Sequence, residues 1–123
     1  MINKDRMQMV LALGSTSVVN CWGATKYVLG KAREMEWVDE KVMKRWLKSK
    51  TTEISHRGLV MGDIVSLWDD GRLIHTATYL GRGVWFHKIG ANYSAKQKLA
   101  DVLAIYEHEE GRSLKLRYHR LLK

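Results

Sequence analysis

The sequence predicts an α+β fold in which N-terminal helices pack on an antiparallel sheet. Two observations carry this expectation. Up to residue 50 the apolar residues recur with helical spacing between capping residues; from Gly62 they switch to short runs broken by glycine turns. The order is helices, antiparallel meander, helix, strand, so the elements are segregated rather than alternating, which is the α+β pattern. With 123 residues, the chain has room for one domain over 1–123 and one core.

Lys4 and Arg6 precede an apolar stretch, Met7 to Leu13, that loosely imitates a signal peptide. Gln8 interrupts it and Gly14-Ser15-Thr16-Ser17 follows without a small-x-small cleavage site, so the stretch is read as part of the fold, with no clear signal peptide. Asn20, which precedes Cys21, is also not the small residue a lipoprotein anchor requires. Asn20 is instead a good N-cap for a helix over Cys21 to Leu29 ended by Gly30. A second helix is expected over Glu36 to Lys50. Val38, Val42, Met43, Trp46 and Leu47 form its apolar arc, Lys41, Lys44, Arg45 and Lys48 gather opposite, and Trp37 is the misfit.

Ile64 to Trp68 reads as a strand, followed by the hairpin turn Asp69-Asp70-Gly71. Leu73 to Leu80 and Val84 to Ile89 are two more strands around Gly81-Arg82-Gly83. Ser94 and Gln97 form a capping box that opens a helix through Leu99, Val102, Leu103 and Tyr106. After Gly111 comes a last strand, with Leu114, Leu116 and Tyr118 alternating with Lys115, Arg117 and His119.

Composition narrows the function classes. With 46% hydrophobic and 28% charged residues the chain is that of an ordinary soluble globule. No apolar run approaches the ~20 residues needed to cross a bilayer, so no integral membrane segment is expected. A single cysteine excludes an internal disulfide framework. The net charge is +8 and is uneven: residues 51–92 carry four basic and four acidic side chains, while both flanks are basic. Such flanks attract nucleic acid, anionic lipid or an anionic wall polymer, or serve solubility alone. The stripe Lys41, Lys44, Arg45 and Lys48 is either a solvated face or an anionic docking face.

Three residues point to chemistry. Cys21 opens a helix, where the positive end of the backbone dipole and a nearby imidazole favour thiolate, so a catalytic thiol there alkylates near pH 6; a core thiol does not. If the second hairpin centres on Gly81, His75 faces His87 directly and Ala77 faces Trp85, with Cβ atoms about 5 Å apart. A one-residue slip would separate the two rings. Read together, Cys21, His75 and His87 supply a nucleophile, a base and an orienting partner; read apart, they are a core thiol and two half-buried histidines. No carboxylate motif accompanies them, so neither a metal nor any other cofactor is expected. His56 in a loop, His108 at a helix end and His119 in an edge strand are expected at the surface.

The segments Asn20-Cys21-Trp22-Gly23-Ala24-Thr25, Gly62-Asp63-Ile64-Val65 and His75-Thr76-Ala77-Thr78-Tyr79-Leu80-Gly81-Arg82-Gly83-Val84-Trp85-Phe86-His87 resemble the NlpC-type cell-wall cysteine peptidases. The resemblance covers about a third of the chain, chiefly residues 20–30 and 58–92. It implies a compact papain-like fold and a Cys21 nucleophile whose backbone N–H helps bind the oxyanion. His75 would be the general base, His87 its orienting partner and Asp63 a turn residue, with Trp22 and Trp85 beside the substrate. Many members have Asp-Cys-Ser where this chain has Asn20-Cys21-Trp22, and no tyrosine precedes Cys21 here as it does in members that cut γ-D-glutamyl bonds.

The resemblance implies a thiol hydrolase acting on an amide bond in peptidoglycan. The small basic domain suggests an enzyme that is secreted or delivered to the periplasm or a target cell: an antibacterial effector, a toxin domain or a phage lysis factor, with an inhibitor (immunity) protein as a conceivable partner. Two alternatives stay open. One is a papain-like toxin domain acting on a cytosolic protein or tRNA; the other is a non-catalytic basic module that binds nucleic acid.

Overall fold

Three helices begin at side chains that accept a backbone N–H three residues further on: Asn3 from Arg6, Asn20 from Gly23 and Asp39 from Val42. The computed structural model describes residues 2–111 and 113–123. Among them are α1 (Lys4–Leu13), α2 (Cys21–Val28), α3 (Glu40–Lys50) and α4 (Leu99–Glu110). The strands are β1 (Thr51–Ile54), β2 (Ile64–Asp69), β3 (Arg72–Gly81), β4 (Val84–Lys88), β5 (Ser94–Lys98) and β6 (Lys115–Leu121). They form one antiparallel sheet in the order β1-β6-β2-β3-β4-β5. The α+β expectation therefore holds. No helix among the described residues is long and apolar enough to cross a membrane.

Alternating strand residues feed two cores. Met7, Val10, Ala24, Val28, Met43 and Leu47 of the first three helices pack with Ile64, Leu73 and Phe86. Val102 and Tyr106 of α4 pack with Val65, Leu67, Ala77 and Trp85. The stretch Met7 to Leu13 belongs to the fold as most of α1. Met7 and Val10 are buried there, and the Arg6 guanidinium donates to the carbonyls of Tyr27 and Ala32.

Several boundaries differ from expectation. The second helix starts at Glu40, not Glu36, because extended Asp39 caps it and the backbone of Val38 is held by Asn20, which donates to the Val38 carbonyl (2.6 Å) and accepts its N–H (3.2 Å). Met43 and Leu47 are buried, Val42 and Trp37 are exposed, and Lys41, Lys44, Arg45 and Lys48 all face solvent. Ser94 and Gln97 form no capping box. They lie in β5, paired with β4, and α4 begins after Lys98 without a side-chain cap. His119 is not on an edge, since β1 pairs outside β6, and it is buried at 6% exposure. His56 and His108 are exposed as expected.

The second hairpin also departs from the expected register. Arg82 and Gly83, both left-handed (φ 53° and 76°), form the turn between Gly81 and Val84. Continued without interruption, that ladder would put His75 and His87 on opposite faces of the sheet. An irregularity between Tyr79 and Gly81 absorbs one residue, so Tyr79 pairs with Trp85 and Thr78 with Phe86. Trp85 thus faces Tyr79, not Ala77, and the histidines are diagonal neighbours rather than directly opposed. The shift from the expected pairing is two residues, an even number, so both rings still share one face.

Candidate active site

Asn20 sets the position of the thiol. Its amide caps α2 and grips the backbone of Val38 from both sides, which a carboxylate in its place could not do because it cannot donate. The Thr25 hydroxyl lies 3.0 Å from the Cys21 carbonyl and 2.7 Å from the Thr76 hydroxyl, pinning α2 to β3. Gly23 is needed one turn along, because a Cβ there would overlap the Glu36 carbonyl. Cys21 is buried at 7% exposure. Burial pushes its thiol up to about 12. The backbone N–H groups of Thr76, Trp22 and Cys21 and, last, the Lys88 ammonium act in the opposite direction.

A second bulge separates Leu73 from His75. Leu67 pairs with His75, but the next pair is Trp68 with Leu73, so Ile74 is an extra residue in β3. Leu73 therefore joins the core under the first three helices, while His75 stacks on Tyr106 of α4, with ring centroids 4.0 Å apart. His75 Nε2 lies 2.8 Å from His87 Nδ1, and His87 Nε2 lies 2.6 Å from Gln97 Oε1. The carboxamide oxygen only accepts, so His87 carries its proton on Nε2 and accepts at Nδ1. His75 must then donate from Nε2, which leaves a lone pair on Nδ1. That Nδ1 is buried and has no hydrogen-bond partner.

The chain Gln97–His87–His75 therefore fixes His75 in the tautomer whose Nδ1 accepts a proton. Burial holds the His75 pKa well below its ordinary value, and the charge of His87 lowers it further. Burial also lowers His87, against the hydrogen bond to Gln97. Both rings are neutral near pH 7. Cys21 approaches the backbone of residue 76, next to His75, but among the described residues no hydrogen bond joins thiol to imidazole. Thiol and imidazole are thus both uncharged, not a preformed ion pair, and the helix dipole does not outweigh burial.

Lys88 was missed by sequence reasoning. Its side chain is fully buried and its ammonium donates to the carbonyls of Thr16, Gly90 and Asn92 at 2.6 to 3.0 Å. Those three acceptors offset the cost of burying the cation, whose field favours negative charge on Cys21. Gln97 was also missed in this role, because its spacing from Ser94 imitates a helix cap. The strand alternation of Trp85 and His87 is the signal that a facing β5 would supply such a partner.

The other expected residues are placed plainly. Trp22 is half-buried with an unpartnered buried Nε1 and packs against the core of the first three helices. Trp85, at 2% exposure, packs against Tyr79 within the α4 core and has no surface to offer a substrate. Asp63 is a turn residue: it accepts from Val60 N and takes two hydrogen bonds from Arg120. Lys44, Arg45 and Lys48 lie outside this site, on α3. Among the described residues no group of three His, Cys, Asp or Glu side chains is arranged to hold a metal. No protein-family model matches the chain, and no curated protein matches it either.

Proposed function

We propose that the protein is a cysteine hydrolase of papain-like type that cleaves an amide bond by acyl transfer. The observation that carries the reading is the buried, unpartnered Nδ1 of His75, held as a proton acceptor by His87 and Gln97 beside the strand position that Cys21 approaches. As the Cys21 sulfur attacks the carbonyl carbon, its proton passes to His75 Nδ1, so no stored thiolate is required. The backbone N–H of Cys21 stabilises the oxyanion. The C–N bond then breaks, Nδ1 returns the proton to the leaving amine, and a thioester remains on Cys21. Water, deprotonated by the same Nδ1, attacks the thioester, releasing the acid and restoring the thiol.

The resemblance of residues 20–25 and 62–87 to NlpC-type enzymes makes a peptide of peptidoglycan the preferred substrate. A delivered wall hydrolase of this kind would be matched by an inhibitor protein in its producer. The test is release of muropeptides from purified peptidoglycan. Wild-type protein should release them, and Cys21→Ala should not, with helix content unchanged by circular dichroism. Serine at position 21 should be nearly inactive, since its hydroxyl is a weaker acid than the thiol. Full activity of folded Cys21→Ala would overturn the assignment.

A further inference from the structure

The half of the sheet away from Cys21 carries a second feature, built by α3, β1, β2 and β6. They line an open cavity of about 630 Å³ whose lining includes Lys44, Arg45, Lys48, Arg117, Trp68 and Glu53. Four cations thus face one carboxylate. Lys44 pairs with Glu40 at 3.8 Å, whereas Arg45, Lys48 and Arg117 make no ion pair among the described residues. Lys41, the fourth member of the α3 stripe, does not line the cavity; Arg117 of β6 takes its place.

The aromatic wall is held rigidly. The Thr51 hydroxyl donates to the Leu47 carbonyl, so it accepts from His119 Nδ1 at 3.3 Å. His119 Nε2 lies 2.6 Å from Ser66 Oγ, which also donates to the Arg117 carbonyl at 3.3 Å and accepts from Trp68 Nε1 at 2.7 Å. Every polar atom of this chain has a partner, and the indole is fixed at its Nε1 end. The Arg117 guanidinium sits 4.8 Å over the indole and the Lys44 ammonium 5.7 Å from its centroid. The cavity therefore joins unpaired cations to a flat stacked surface, and its size is that of a site for a small organic ligand, commonly about 300 to 1,000 Å³.

We propose that this cavity binds single-stranded nucleic acid. Arg45 and Lys48 take the phosphates, and one base stacks at the Trp68–Arg117 pair, since guanidinium planes and indoles both accept base stacking. A ringless polyanion would use the cations but not the flat surface. The site shares no residue with the Cys21 chain and does not depend on the hydrolase reading.

The test is fluorescence anisotropy of a short labelled oligouridylate across a salt series. An abasic strand of equal length and inorganic polyphosphate serve as ringless probes. Wild-type protein should bind the oligouridylate, and the abasic strand should bind about fivefold more weakly with the same salt slope. The triple variant Arg45→Gln, Lys48→Gln, Arg117→Gln changes only exposed side chains. It should bind at least about tenfold more weakly, with its salt slope reduced by about 0.7 for each phosphate no longer neutralised. Cys21→Ala should bind as wild type, so failure of the hydrolase reading and failure of this one are distinguishable. No binding at low salt, equal binding of either ringless probe, or unchanged affinity in the triple variant would each overturn the proposal.

Discussion

At the residue scale, the proposed chemistry turns on which nitrogen of His75 holds a proton. Gln97 decides that two hydrogen bonds away, so it acts as a positioning residue. Removing His75 removes the base, a loss of about a hundredfold or more. Gln97→Ala frees His87 to turn or change tautomer, and the loss of one orienting hydrogen bond should cost about tenfold in kcat. Gln97→Glu keeps an acceptor at the same place and should retain activity. Its carboxylate should also raise the His87 pKa and shift the acid limb of the pH–rate profile upward. A purely structural Gln97 would leave that limb unmoved, and kcat profiles of the two variants separate the cases. Cys21, His75 and His87 stand out in the sequence as candidates by residue type and spacing. Gln97 and Lys88 do not, because each acts through partners that only folding brings near.

At the scale of elements, two strand irregularities and one glycine contact place the site. Ile74 puts Leu73 and His75 on opposite faces of the sheet, and without the step between Tyr79 and Gly81 the two histidines would not share a face. Gly23 belongs to the same level. In an ordinary helix interior, alanine is more stable than glycine by about 1 kcal/mol. Here the added Cβ meets the Glu36 carbonyl, a backbone atom fixed by the grip of Asn20 on Val38. Overpacking of this kind costs about 1 to 3 kcal/mol, so the clash outweighs the propensity gain. Gly23→Ala should therefore lower the urea midpoint, with unfolding followed by circular dichroism. A midpoint equal to or above wild type would show that the segment before α3 yields freely.

At the scale of the whole molecule, burial lowers the pKa values of three of the five histidines, His75, His87 and His119, in the folded state. The unfolded chain binds protons at these sites from about pH 6.5 downward, while the folded chain resists them. Stability is therefore present above pH 6.5 and lost as pH falls below it. The loss is about 1.4 kcal/mol per pH unit for each histidine that stays neutral. The melting temperature should drop clearly between pH 7.5 and pH 5, and His119→Gln should reduce the drop if its neutral partners, Thr51 and Ser66, accept the amide. A melting temperature independent of pH over that range would contradict the burial of all three rings.

Local chemistry was enough for the sequence to determine the α+β class, the helix opened by Asn20, the two hairpins and the meeting of His75 with His87. Caps, turns and periodicity act over a few residues, and each of these features is written within such a span. Tertiary structure alone decided the strand pairing of β5, the interior position of β6 and the two-residue change of register. It also decided the burial that leaves Cys21 and His75 uncharged. Those outcomes depend on which distant segments compete for the same hydrogen-bond edge or the same dry space. Ser94 to Lys98 satisfies its backbone better along β4 than as a helix start, and His119 is covered because Thr51 to Ile54 pairs outside it.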